Sequence, residues 1–203
     1  MGIRTFLAVE LDEAVRARLA EAAAGAEAGR ARVRLVAPEN IHVTLNFLGD
    51  VEDAQVPAVC RTAERLAAAA EPFEFAVRGL RAVPPRGPVL RMLWAGVDDL
   101  SGGLGRLQAR LEAALAEMGF APDRRPFRPH LTLARFKSPR GRRAPTPGAD
   151  AIRATFAARR EQAFGTVAAE AVTVFSSELS PAGPTYAPLA RAGIGARSGR
   201  EHG

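Results

Sequence analysis

Apolar and polar residues alternate through the first eleven positions around a β-favouring centre (Phe6, Leu7, Val9), which predicts a strand over 3–11. Asp12 then offers an N-cap to an alanine-rich helix over 13–24, and glycines 25 and 29 break it. A short strand around Val33, Leu35 and Val36 stops at Pro38. Residues 41–48 alternate again, with Ile41, Val43, Leu45 and Phe47 on one face and His42, Thr44 and Asn46 on the other. Gly49-Asp50 reads as a turn, and an amphipathic helix follows over 54–70 with Val56, Val59, Ala63 and Leu66 along one side. A strand over 73–83 has Gly79 as a candidate bulge. The prolines of 84–88 force a loop, and an apolar strand over 89–97 carries Trp94. Leu104, Leu107, Leu111 and Leu115 mark a helix over 100–118 closed by Gly119. A basic, proline-punctuated loop (122–129) leads into a strand over 130–136. Beyond it are an Arg-, Pro- and Gly-rich stretch (137–147) expected as a mobile surface loop, a strand or strand pair over 164–175, and an edge strand over 186–192.

Strands and helices thus alternate, but with hairpin-like strand pairs that a doubly wound parallel sheet does not need. The fold class predicted is α+β with largely antiparallel sheets. No linker separates independent domains, so residues 1–192 are read as one unit and 193–203, which lack periodicity, as a disordered tail.

The chemistry concentrates in a repeated tetrapeptide. His42-Val43-Thr44-Leu45 and His130-Leu131-Thr132-Leu133 stand 88 residues apart, each on a predicted strand after a proline-containing loop. Each puts His and Thr on one strand face and turns the two apolar residues toward a core. Two such units imply two similar lobes facing one another. The third histidine, His202, is in the tail. No nucleophilic cysteine is at hand, and two histidines without a carboxylate cluster make a poor metal site, so neither metal nor cofactor is expected. Two imidazoles that titrate near neutrality suit concerted acid–base catalysis, with the Thr hydroxyls placed to donate to phosphate oxygens. In-line phosphoryl transfer needs such a pair, and an arginine to hold the non-bridging oxygens.

Composition changes this picture little. Of 203 residues, 47% are hydrophobic and 25% charged, as in an ordinary globular protein. No apolar run is long enough to span a bilayer and the N-terminus reads as a strand, so no membrane partner and a cytoplasmic location are expected. The one cysteine, Cys60, sits in a helix-like stretch and reads as an inert thiol. The net charge is +6, and Lys137 is the only lysine among 28 basic residues. That bias reflects coding composition and also suits phosphate binding, since guanidinium grips phosphate in a planar, bidentate way.

The tandem His-x-Thr-x motif resembles the 2H phosphoesterase superfamily, and within it the RNA 2′,3′-cyclic phosphodiesterases also named 2′-5′ RNA ligases. The likeness runs through residues 4–11, 38–49 and 125–135, and through Ser177-Glu178-Leu179-Ser180-Pro181 with Tyr186. It implies a bilobal α+β fold with a pseudo-two-fold axis and a central cleft. It also implies a reaction opening an RNA 2′,3′-cyclic phosphate to a 2′-phosphate, with 2′-5′ ligation as a side activity. His42 and His130 are then the catalytic pair, His42 as proton donor, although two near-identical motifs leave that polarity open. Thr44, Thr132 and Arg135 are the expected substrate-binding residues. Arg135 lies five residues after His130, on the opposite face of a regular strand, so a bend must turn it toward the phosphate; otherwise it makes a surface ion pair. By the same alternation Phe47 belongs to the core rather than to base stacking. Arg125 and Arg128 either meet the RNA backbone or are solvated. The expected partner is RNA with a 2′,3′-cyclic phosphate end, bound by a monomer. A small cyclic phosphate, a 2′-5′ oligonucleotide and a non-catalytic RNA-binding role are the alternatives.

Overall fold

A computed structural model describes residues 2–28, 32–137, 144–180 and 183–196. Among the described residues nine strands form one antiparallel sheet: β1 (Gly2–Glu10), β2 (Arg32–Leu35), β3 (His42–Glu52), β4 (Glu74–Val83), β5 (Met92–Asp98), β6 (His130–Lys137), β7 (Ala163–Ala168), β8 (Ala171–Ser180) and β9 (Gly183–Gly193). The order is β7-β4-β5-β6-β3-β1-β8-β9, with β2 paired to β6 outside that path. The helices are α1 (Glu13–Ala24), α2 (Val56–Ala68), α3 (Gly103–Glu117) and α4 (Ala149–Ala157).

The α+β class and its pseudo-symmetry are visible in this order. β3-β1-β8-β9 and β6-β5-β4-β7 are equivalent four-strand runs, and they meet where β3 touches β6 through one pairing, Val43 with Leu131. The two lobes are therefore halves of a single curled sheet. Helices cross between them. α1 follows β1 yet packs on β7 and β6, and α3 follows β5 yet packs on β3 and α2. Asp12 starts α1 by accepting the Val15 N–H at 2.8 Å, and Val15, Leu19, Ala22 and Ala23 form its buried stripe. Leu104, Leu107, Leu111 and Leu115 do the same for α3. One continuous hydrophobic core lies behind the sheet, joining Leu7, Val9 and Val43 of one lobe to Leu93, Leu131 and Leu133 of the other.

Several expectations need correction. Gly49-Asp50 is not a turn: Gly49, at φ 72°, lies in an irregularity within β3, which runs on to Glu52 opposite Gly2. Glycine is what lets the strand bend there and continue. Helix α4 has no clear signal in the sequence, because residues 149–157 carry only Ile152 and Phe156 as large buried side chains. Part of the loop expected to be mobile is tied down: Thr146 is buried and exchanges hydrogen bonds with Leu90 at 2.9 and 3.1 Å. Residues 138–143 lie outside the described set. Residues 194 and 195, within the stretch read as a tail, are held in place, Ile194 N–H donating to the Glu170 carbonyl and Gly195 N–H to that of Ala67; residues 197–203 lie outside the described set. No helix among the described residues is long and apolar enough to cross a membrane.

Candidate active site

The site is built on the seam. β3 and β6 run antiparallel, and Val43 and Leu131, fully buried, face each other beneath it. A register centred on that pair sets His42 beside Thr132 and Thr44 beside His130, so the two motifs lie head to tail across a local two-fold axis on the face opposite the core.

Each motif contains the same irregularity. Against β1, Leu7 pairs with Asn46 and Ala8 with Thr44, skipping Leu45. Against β5, Leu93 pairs with Ala134 and Trp94 with Thr132, skipping Leu133. The extra residue in each strand is a bulge, and it reverses the alternation that follows. Burial runs identically through both strands: partly buried His, buried Val or Leu, partly buried Thr, then two buried residues in succession. The next residue is exposed in each, Phe47 in one strand and Arg135 in the other. The bulge at Leu133 is the bend that Arg135 required. Its counterpart at Leu45 overturns the core placement of Phe47, which is 53% exposed and shares the cleft face.

Both imidazoles are held alike. His42 Nδ1 lies 2.9 Å from the Asn40 carbonyl and His130 Nδ1 2.8 Å from the Arg128 carbonyl, two residues back in each case. A carbonyl only accepts, so each Nδ1 carries hydrogen and each Nε2 is left for chemistry. In His42, Nε2 lies 3.1 Å from Thr44 Oγ1. The rings rest on aromatic floors, His42 on Phe6 at 4.9 Å between centroids and His130 on Trp94 at 3.9 Å. Burial pushes the His42 pKa down to about 4, opposed by the Asn40 carbonyl and the Glu10 carboxylate and assisted by the charges of Arg135 and His130. Burial also lowers that of His130, again with Arg135 and Arg125 assisting against the Arg128 carbonyl. Arg135 thus lies close enough to act on both histidines, and on Tyr186, whose hydroxyl pKa burial raises.

The structure brings together all five expected residues, His42, Thr44, His130, Thr132 and Arg135, and adds others. Phe6, Phe175 and Tyr186 join His42 and Phe47 in one aromatic cluster, and the Arg4 guanidinium lies 4.9 Å over the Phe47 ring. Phe6 and Phe175 read as ordinary strand apolars in the sequence. Only the register of β1 with β8, which pairs them, shows the cleft face they share. Glu10 was equally silent. It stands opposite His42 in the β1–β3 register, and its carboxylate accepts from Thr173 at 2.8 Å. Arg125 is drawn off to Asp123 at 2.9 Å. Among the described residues, no three His, Cys, Asp or Glu side chains gather where they could share a metal ion.

This arrangement can remove a proton from one side of a phosphorus centre and deliver one to the other, with Arg135 between. The family described as LigT like Phosphoesterase matches the chain twice, over residues 9–94 and 96–186, one match for each histidine. An RNA 2′,3′-cyclic phosphodiesterase from Methanothermobacter thermautotrophicus is 34% identical over 190 residues, covering 93% of this chain and 97% of the relative. One from Thermus thermophilus is 32% identical, covering 98% and 94%. Among crystal structures, TT0787 of Thermus thermophilus superposes with a TM-score of 0.76 at 31% identity, covering 95% and 98%. E. coli LigT complexed with 3′-AMP gives 0.71 at 26%, covering 96% and 99%. A doubled motif, a doubled bulge and a doubled sequence match agree, and the chain belongs to the LigT-like phosphoesterase family.

Proposed function

We propose that the protein hydrolyses the 2′,3′-cyclic phosphate at the end of an RNA strand to a 2′-phosphate, using His42 and His130 without a metal. The observation that carries this reading is the pair of imidazoles, each fixed through Nδ1 and related by a two-fold axis, with Arg135 acting on both. The names of the relatives support the RNA substrate.

In the reaction His130 Nε2 takes a proton from water as the water oxygen bonds to phosphorus. The P–O3′ bond breaks on the far side, and His42 Nε2–H protonates the departing O3′. Arg135 and the hydroxyls of Thr44 and Thr132 hold the non-bridging oxygens. In its neutral form His42 Nε2 accepts from Thr44 Oγ1. Once Nε2 is protonated it no longer accepts, so the Thr44 O–H proton rotates off it and is free to donate to the phosphate. With a 5′-hydroxyl of a second RNA in place of water, the same steps give a 2′-5′ linkage.

Two asymmetries in an otherwise symmetric frame support this polarity. Glu10 faces His42 in the register, whereas Gly96 faces His130, where a Cβ would collide with the Arg78 carbonyl. A carboxylate therefore stabilises a proton on His42 alone. Phe47 and Arg135 occupy equivalent positions, one a stacking surface and the other a cation. A nucleobase over Phe47 puts its ribose, and so O3′, on the His42 side.

The test is a short RNA with a 2′,3′-cyclic end, incubated with EDTA, with the product phosphate located. A 2′-phosphate is expected, and loss of ~10²-fold or more in His42→Ala and His130→Ala. A second substrate with sulfur at the 3′ bridge separates the roles, because a thiolate leaves without a proton. His42→Ala is expected to lose far less on it, and His130→Ala to lose as much as before. A 3′-phosphate product overturns cleavage at P–O3′, and rescue of His130→Ala instead of His42→Ala reverses the acid–base polarity. Absence of turnover defeats the hydrolase reading.

A further inference from the structure

Beyond the seam, β3 and β6 diverge, and β2 fills the wedge against the C-terminal half of β6. Its register is unusual: Arg34 is paired with Arg135 and Arg32 with Lys137. Residues directly opposite in an antiparallel pair project from the same face with Cβ atoms about 5 Å apart, and like charges there are destabilising. Two such pairs follow one another, on the face that Arg135 shares with the histidines. Val33 and Phe136, between them, point back and pack against the core. Among the described residues Arg32 and Lys137 have no acidic partner, in contrast to Arg125, Arg153 and Arg191, which are each paired with a carboxylate. Arg34 lies beside Gly183 of the β8–β9 hairpin, across the cleft.

A sheet edge that sets Arg32 beside Lys137 with no carboxylate between them, next to Arg34 and Arg135, suits a polyanion. The block touches the reacting centre at only one corner, Arg135. From there to Lys137 it extends about 7 Å along the strand, which is beyond the reach of a single phosphate and suits a chain of them. We propose that Arg32, Arg34 and Lys137 form a binding track for the phosphodiester backbone of RNA upstream of the cyclic end, so that the enzyme distinguishes a polynucleotide from a mononucleotide. This rests on the hydrolase reading above for the identity of the reacting end.

The test uses the double variant Arg32→Gln/Lys137→Gln, which leaves the histidines, threonines and Arg135 in place. Two substrates are compared: a mononucleoside 2′,3′-cyclic phosphate and an RNA octamer with the same terminal nucleotide. For the octamer kcat/KM is expected to fall about tenfold or more, and the slope of its logarithm against log salt to flatten by roughly 1.4, at about 0.7 per lost phosphate contact. For the mononucleotide it should change less than twofold. Equal losses on both substrates, or none on either, overturn the track. Binding of a 2′-phosphorylated octamer, measured by anisotropy, decides the same question without turnover: weaker and less salt-dependent binding in the variant supports the track, and unchanged binding overturns it. If the wild-type protein turned over neither substrate, the hydrolase reading would fall while the binding measurement still decided the track.

Discussion

Glu10 and Gly96 sit at equivalent points of the two lobes, and the difference between them bears on how the protein responds to pH. In the proposed reaction His130 is neutral while His42 is protonated. Both pKa values lie below the usual 6.5, His42 at about 4, so in the free protein both rings are neutral at pH 7. The active combination is then most populated on the acid side. kcat/KM, which reports the free enzyme, should peak below pH 6.5 and fall about tenfold per unit above it. A pH–rate profile with its optimum above 7 contradicts this. Facing His42 are Glu10 from β1, Tyr186 from β9, and His130 and Arg135 from β6. Of these Glu10 is the group that raises its pKa. Glu10→Gln should therefore move the optimum further to acid and lower kcat/KM at pH 7 several-fold, with a smaller loss on the sulfur-bridged substrate. Equal loss on both substrates makes Glu10 merely structural. The two His-Thr pairs were legible in the sequence because their spacing of two gives a face directly. Glu10, Phe6 and Phe175 were not, since their place in the cleft depends on cross-strand register, which no local pattern encodes.

At the scale of elements, most strands and the three longer helices followed from periodicity and caps. What periodicity missed is instructive. A bulge adds a residue to the pairing without altering residue type, so Leu45 and Leu133 look like any inward-facing leucine, and the reversed phase of Phe47 and Arg135 leaves no trace in composition. Gly79 was the exception, because glycine in a strand advertises the irregularity. It adopts φ 75°, and a Cβ there would overlap the Arg160 carbonyl, where β4 meets the turn before β7. Gly87 has a similar φ of 92° but open space around it. Alanine at position 87 should cost about 1 kcal/mol, from backbone conformation alone. Alanine at position 79 should cost roughly 3 kcal/mol, because displacement of the neighbouring backbone is added. Urea unfolding of the two variants measures the difference, and equal midpoints would remove the role given to the close approach.

For the whole molecule, the bilobal arrangement was readable from the repeated motif, but its continuity was not. Sequence alternation cannot tell two facing sheets from one sheet with a narrow seam. The single core and the exchange of α1 and α3 across that seam make the lobes mutually dependent. They should unfold together. The chain provides its own probes, since its single Trp, Trp94, lies in one lobe and its single Tyr, Tyr186, in the other. Coincident denaturation midpoints by Trp fluorescence and Tyr near-ultraviolet absorbance are expected, and separated midpoints would show lobes that fold apart.

The exchanged helices have one more consequence. The two stretches of sequence that match the family, 9–94 and 96–186, are not the two lobes: each lays β-strands in both. The molecule has the connectivity of a dimer whose subunits have traded parts and then been fused, with one histidine inherited from each. Severed near residue 100, between β5 and α3, it would yield two polypeptides that each lack half of every lobe and carry only one of the two imidazoles. If the proposed two-histidine reaction holds, neither fragment should act alone and their reunion should restore turnover, so the fold already contains the logic of a split reporter that answers only when two fused partners meet.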